Sequence, residues 1–585
     1  MSTMSVTGAA SRPGVEAARS AMLALLCALL ALLAPSAASA QYEPPKQMTL
    51  SPLGVDVSDG RFSYKTTDLS IGPLTLERSF LGGHTIDGSN YFGPNWTHNY
   101  AIYVVEKDFA KSNGVYVVLG RGTVHFSFST FGCWHTDCEG AKLQVGTDGG
   151  FVYTDAQGNI YTFNASVNAF TPYANIDPPM RNQRIARIDY ADGHTLTYTY
   201  SGSQLKQIAS NYGYSLVFEY SGSTNSISKA CGYNRAVTHV TAATNCDGAA
   251  LAVSYSYGAN TNLANVVDAM GQSWGYDYGN AAAKLTCVRQ VNSSACQVAN
   301  TYEPLTGVKP HSVTAQTTPD GAVWNYSYAP ASPDDPQIPG QPPAISTGGF
   351  TGPEGIQVGA QFGAGLLDYY SQNGRTTYLQ WDGIELARLY HPENNNVRYT
   401  WRTGQQVSET WEGKPGSGVA TIAKSMGFAE SSSCPTLPRK ICNKPIWRKD
   451  YKGNQTDYTY SGTHGGILTE TGPAVDGISP QVRYEYAARH ARVSNGSGHA
   501  QEAVPIYLPV KKSFCMAGNA SGAGCALGAG DEVVTTFDYG PDTGPNNLLL
   551  RSETVTAGGV ARRTCYGYDW MGNRISTTRP NGFCQ

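Results

Sequence analysis

One turn-and-strand frame recurs along this chain and narrows what it can fold into. Its fullest copy is residues 188–202, I-D-Y-A-D-G-H-T-L-T-Y-T-Y-S-G. Asp192-Gly193 supplies a turn pair that tolerates positive φ, after which Leu196, Tyr198 and Tyr200 alternate with Thr195, Thr197 and Thr199. The pattern predicts a strand with one apolar, aromatic face. Gly271 repeats the frame with Trp274, Tyr276 and Tyr278; Gly321 with Trp324, Tyr326 and Tyr328; Gly453 with Tyr458 and Tyr460; and Gly158 with Tyr161 and Phe163 is a shorter copy. Aromatic-x-aromatic pairs recur beyond these, at Phe218/Tyr220, Tyr255/Tyr257, Tyr399/Trp401, Tyr484/Tyr486, Phe537/Tyr539 and Tyr566/Tyr568. A single such unit cannot bury its face alone, so the expected fold class is all-β, a repeat-built sheet of hairpins.

Residues 1–40 stand apart from that pattern. Arg12 and Arg19 precede the apolar run 22–33, which is too short to span a bilayer, and Ala38-Ser39-Ala40 is a small-residue cleavage site. This predicts a signal peptide and an exported chain, periplasmic, on the cell surface or extracellular. Cys27 follows Leu26 where a lipid anchor would need a small residue, and no later stretch is long and apolar enough to span a membrane. Charged residues are 15% of the chain, against about 25% in typical domains. With a net charge of −3 there is no basic field for nucleic acid.

Twelve cysteines follow Cys27 and fall into local pairs: Cys133/Cys138, Cys231/Cys246, Cys287/Cys296, Cys434/Cys442, Cys515/Cys525 and Cys565/Cys584. In an oxidising compartment nearest-neighbour pairing makes six hairpin or loop staples, each stabilising by about 3 kcal/mol on a chain-entropy argument. Metal binding is the rival reading, with Cys133-Trp-His135-Thr-Asp137-Cys138 the dense cluster. That cluster lacks the second ligand pair of a zinc site, so no metal or other cofactor is expected.

The N-terminal stretch lies outside the repeat frame and reads as hairpins punctuated by Asp59-Gly60 and Gly72-Pro73. Its ordered motifs are D-V-x-x-G at 56–60, T-D-L at 67–69, G-P-L at 72–74 followed by Arg78 and Phe80, and F-G-P-x-W at 92–96. The last repeat reads Tyr566-Gly-Tyr568-Asp569-Trp-Met-Gly572-Asn573. Together these resemble bacterial RHS/YD-repeat proteins over nearly all of the chain beyond residue 40. The resemblance implies an N-terminal RHS-associated module (41–165), a YD-repeat array (166–328), a proline-rich insertion loop (329–346) and a second array with Gly/Ala/Ser-rich insertions (347–585). Residues 495–530 read as one of those insertions, a loop held by Cys515 and Cys525, and residues 487–493 fit no element clearly. The resemblance further implies a sheet winding as a spiral or partial shell around a C-terminal polypeptide, often a toxin. The self-cleaving core segment and effector of that family have no counterpart before Gln585, so those activities transfer to no residue.

No catalytic constellation stands out. Asp189/Asp192 and Asp334/Asp335 are the nearest to a glycosidase pair, but the first frames a turn and the second lies in the proline loop. Asp56 and Asp59 lack calcium-loop spacing and read as turn residues, and the histidines form no H-E-x-x-H. The leading expectation is a non-enzymatic scaffold or surface protein. The alternative is a carbohydrate-binding adhesin that stacks cell-surface glycan on Tyr198 and Tyr200, and the third is a secreted hydrolase. Aromatic stripes that cross strands usually form core, each pair contributing about 0.2–1 kcal/mol. An array ending near Cys565 and Cys584 also predicts an exposed aromatic face at Tyr566 and Tyr568, covered by self-association or by a downstream continuation or effector.

Overall fold

The computed structural model describes residues 49–578 and 580, apart from 83–90, 108–113, 121, 128–140, 165–181, 223–225, 280–283, 305–311, 331–344, 364, 384, 403, 431–433, 435 and 579. The predicted signal segment, the cluster around His135, Asp334/Asp335 and most of the predicted proline-rich loop therefore lie outside the described residues.

The anchor glycines all adopt the left-handed conformation that the turn requires. Gly158, Gly193, Gly271, Gly321, Gly453 and Gly572 have φ between 76° and 92°, a region that costs other residues about 1–2 kcal/mol. In each turn the glycine N–H donates to the carbonyl three residues back, as Gly453 does to Asp450 at 3.0 Å. The aspartate opening the turn caps it. Asp569 Oδ1 accepts from the Met571 and Asn573 amides at 2.9 and 2.8 Å, while its other oxygen takes the Asn573 side-chain amide at 3.0 Å. Asp155 and Asp450 are bonded in the same way.

The second aromatic of many pairs has a separate task. It sits at or beside a slip of one residue in the ladder to the following strand, as at Thr400/Trp401, Thr459/Tyr460 and Gly567/Tyr568. Such a bulge increases local twist, which swings this end of the strand away from the preceding one and leaves a carbonyl there without its ladder partner. The aromatic head group reaches back and supplies it. Tyr200 donates to Ile185 O at 3.0 Å, Tyr302 to Leu285 O at 2.8 Å, Tyr328 to Val313 O at 2.9 Å, Trp401 Nε1 to Leu386 O at 2.7 Å, Tyr460 to Pro445 O at 2.9 Å and Tyr568 to Leu550 O at 2.8 Å. Repeating tyrosine or tryptophan at this position thus lets a long sheet twist without orphaned backbone. Tyr460→Phe is expected to cost about 1–2 kcal/mol, seen as a lower urea midpoint at unchanged m.

Built from these units, 35 strands among the described residues join one antiparallel sheet that closes on itself, and Ile102–Lys107 pairs in addition with Asn182–Asp189. The fold is all-β, as the frame predicts. The six strands from Ile102–Lys107 to Ile160–Phe163 belong to the large sheet. One stretch differs from expectation. Residues 495–530 are not one loop, because Ile506–Cys515 is a ten-residue strand paired with Gln481–Arg489, into which the ambiguous residues 487–489 also fall. Pro509 obscures that strand in the sequence. It sits at the Glu485/Tyr486 bulge, a position in a sheet that tolerates proline, and its carbonyl accepts from Tyr539 at 3.0 Å.

The N-terminal module forms a small separate sheet, Tyr64–Ile71, Leu74–Phe80 and Trp96–His98, packed against one face of the large one. Val55, Val57, Ile71, Leu74, Leu76, Phe92 and Trp96 have no exposed surface.

Candidate functional site

The motifs that mark the N-terminal module converge on its buried contact with the array. Arg78 and Asp68, with side chains 1% and 3% exposed, pair at 3.0 Å. Asp68 also accepts from the Tyr255 hydroxyl at 2.8 Å, and Arg78 donates to the Tyr276 hydroxyl at 3.0 Å. The guanidinium carbon lies 4.5 Å from the centre of the Trp96 ring and 5.1 Å from that of Tyr276, close enough for cation–π attraction. Burial opposes the arginine's charge, but Asp68 and the two tyrosines outweigh it and raise its pKa.

Beside this pair His98 is fully buried, and neither ring nitrogen has a hydrogen-bond partner. Its ring centre lies 4.6 Å from that of Tyr91, 5.9 Å from Phe92 and 6.0 Å from Phe218. Burial pushes its pKa down to about 3. Around this centre Trp96 Nε1 donates to Tyr278 at 2.8 Å, Tyr326 donates to Ser51 Oγ at 3.0 Å, and the Val313 amide donates to Gly60 O at 2.8 Å. Gly60 has φ 76°, and a Cβ there would sit 2.3 Å from Ser312 Oγ.

Directly opposed residues share a face, so the pairings carry this face across the sheet. From Tyr276 it runs through Tyr326 and Phe350 to Leu379, Val397, Trp411, Ile422 and onward. Up to Phe350 its aromatics are buried: Tyr198, Tyr255, Tyr276 and Tyr326 are each below 9% exposed. Stacking sugar needs open ring faces: Tyr198 is core, while Tyr200 is half-buried, with its hydroxyl on the Ile185 carbonyl and Arg184 5.4 Å from its ring centre.

From Glu409 onward the same face changes character. Glu409 accepts from Trp411 Nε1 at 2.7 Å, pairs with Lys424 at 2.6 Å and is bonded by Tyr451. Burial works against its charge, yet these donors hold its pKa down at about 2. Tyr458, Tyr460, Tyr484 and Tyr486 are only half-buried, and Arg448 and Lys512 lie 5.9 and 5.8 Å from the Tyr458 and Tyr484 ring centres. The aromatic frame therefore continues where the module no longer covers it. Tyr566 and Tyr568 are half-buried rather than exposed, because Arg574 lies 4.7 Å over Tyr566 and Tyr568 caps Leu550.

Distant parts of the array also meet edge to edge through their turns. The Asn443 side-chain amide donates to Ala156 O at 2.7 Å, that of Asn211 to Val504 O at 3.2 Å and that of Asn234 to Trp570 O at 2.8 Å. The Ser494 amide donates to Arg235 O at 2.7 Å, and the Gly72 amide of the module reaches Met571 O at 2.9 Å.

Disulfides join Cys231–Cys246, Cys287–Cys296, Cys434–Cys442 and Cys515–Cys525. Cys565 is also disulfide-bonded, while Cys133, Cys138 and Cys584 lie outside the described residues. Among the described residues, Cys515, Cys525 and Asp531 form the one trio close enough to share a cation, but its two sulfurs are bonded to each other. The carboxylates weighed as glycosidase or calcium residues have structural partners: Asp189 is held by Arg187 at 2.6 Å, Asp192 caps the His194 amide, Asp56 the Ser58 amide and Asp59 the Arg61 amide. One repeat turn escaped the glycine pattern because Asn394, at φ 65°, takes the glycine's place between His391 and Asn395. Asparagine tolerates that conformation, so a search for Gly or Asn ahead of an aromatic pair finds it.

No family model and no curated protein matches the chain. Solved structures do. The chain is similar to the crystal structure of TcdB2-TccC3-Cdc42, at 10% identity and a TM-score of 0.31 over 86% of this chain and 27% of that one. It is similar to TcdB2-TccC3-TEV at 10% identity and 0.34 over 91% and 28%, and to a Photorhabdus luminescens Tc holotoxin pore at 11% and 0.33 over 87% and 27%. The chain thus spans about a quarter of the length of the structures it matches.

Proposed function

We propose that this chain is an exported, non-enzymatic scaffold of the RHS/YD-repeat kind, forming part of a shell that serves intercellular competition or attachment at a cell surface. The observation that carries this reading is the division of one continuous face. Its first part is filled by the chain's own N-terminal module, and its second part, from Glu409 to Arg574, presents the same aromatic frame half-buried and interleaved with Lys424, Arg448, Lys512 and Arg574. Such a surface suits a polypeptide guest, whose side chains can meet both rings and charges. Four short-range disulfides fit export.

Acylation of lysines, read by mass spectrometry, tests the proposal. Lys512 is expected to react in protein produced alone and to be protected in protein isolated intact from its producing cells. Equal reactivity in both would overturn the reading.

A further inference from the structure

The strands Gln481–Arg489 and Ile506–Cys515 are paired to their shared end, with Arg489 directly opposite Ile506. Residues 490–505 are therefore an insertion that is free to move without breaking a rung of the large sheet. They form a hairpin of their own, Arg492–Ser494 with His499–Gln501, whose ladder joins no other strand. Residues 495–501 are exposed. We propose that this hairpin is a strap across the seam where distant turns meet: its tip lifts from the first array as a unit, and lifting lets the seam part.

Root and tip are held differently. At the root the buried Asn547 side chain donates to His490 O at 2.8 Å and accepts from the Arg492 amide at 3.1 Å, while Ala491 packs with Ile506, Leu508, Tyr539 and Leu548. Those partners all belong to the second array, so the root stays with it. The tip faces the turns at 211–213 and 235–239. The Ser494 amide donates to Arg235 O at 2.7 Å, and its carbonyl accepts from His239 Nδ1 at 2.9 Å. His499 Nε2 donates to Ala236 O at 2.9 Å, and Arg235 pairs with Glu502 at 2.6 Å. Val493 supplies the tip's buried apolar side chain. A cavity of about 20 Å³, room for one water, lies between Gly213 and Ala236 on one side and Ala491 and Asn547 on the other. A contact made mainly of hydrogen bonds at the surface opens at lower free energy than the packed strands beside it.

The neighbouring stretch of the seam depends on the strap's position. Asn234, next to Arg235, donates through Nδ2 to Trp570 O at 2.8 Å, and Gly572 lies so close to Tyr214 that a Cβ there would stand 2.4 Å from the hydroxyl. Met571 O, in the same turn, accepts from the Gly72 amide of the module. Strap and turn thus close adjoining parts of one seam. That a guest polypeptide passes there rests on the scaffold reading; the opening itself does not.

Amide hydrogen exchange resolved to single residues, on the full exported chain, tests the proposal. In the wild type the Ser494 amide is expected to exchange about tenfold or more faster than the ladder amides of 482–488. Arg235→Gln combined with His499→Ala removes two of the tip's attachments and no rung of the large sheet. It should speed Ser494 and Gly72 together by about fivefold or more, leaving 482–488 unchanged. Wild-type exchange at Ser494 as slow as in 482–488, acceleration of 482–488 along with Ser494, or a Gly72 amide that does not respond would each overturn the assignment. These outcomes are independent of Lys512 protection, so failure here leaves the scaffold reading standing.

Discussion

Asp68→Asn is expected to destabilise the protein by about 3–5 kcal/mol, because removing one member of a buried ion pair strands the other's charge. Arg78 would then be a fully buried cation whose remaining partners are one neutral amide oxygen at position 68, the Tyr276 hydroxyl and the aromatic rings around it. Replacing both residues at once, Arg78→Met with Asp68→Leu, should recover much of the loss, since neither charge then needs solvation. Urea unfolding of the three proteins separates the possibilities. If the single and double variants were equally destabilised, steric repacking rather than stranded charge would be the cause.

Acid should loosen the same region. His98 stays neutral in the folded chain down to about pH 3, against 6.5 when free. The unfolded chain therefore binds the extra proton between those values, and stability is full above pH 6.5 and falls as the pH drops toward 3. The loss amounts to about 4–5 kcal/mol at the acid limit, at about 1.4 kcal/mol per pH unit. The charged groups facing the imidazole from the neighbouring strands are Arg78 and Asp68, and a second cation beside Arg78 adds to the cost. His194, held neutral to about pH 4, contributes in the same direction. The diagnostic quantity is therefore the difference between wild type and His98→Phe. Relative to that of His98→Phe, the wild-type denaturant midpoint should fall as the pH drops from 6.5 to 3.5. Parallel profiles would mean that water reaches the ring and that His98 does not titrate as a buried group.

The residues that build this centre were legible in the sequence as motifs, though not as partners. Gly60, Gly72, Arg78, Phe80, Phe92 and Trp96 stand out by order and spacing within the N-terminal stretch. Nothing local says that Arg78 pairs with Asp68 or that Tyr276, 198 residues further on, completes the pair's surroundings. Turn glycines and alternating aromatics were readable because their cause is local: φ at one residue, and a face at every second residue. The division of the face into a filled part and an open part was not, since the Tyr458 and Tyr276 frames look alike and differ only in what sits across from them. Pro509 hid a central strand for a related reason, because its tolerance depends on a bulge set by the partner strand.

The disulfides close loops of only 8 to 15 residues, and none of these four reaches across the seam where Asn443, Asn211 and Asn234 join distant turns. Closure there rests on hydrogen bonds, while each strand from Asn182 onward is paired to a neighbour close in sequence. Under tension applied to its ends, such a chain would open at the seam and then unzip hairpin by hairpin. Each short bridge would withhold only the few residues it encloses, so most of the contour would be released in small, repeated steps at low force. The same covalent pattern that stiffens individual hairpins leaves the whole able to be threaded out, or to re-form, one strand at a time.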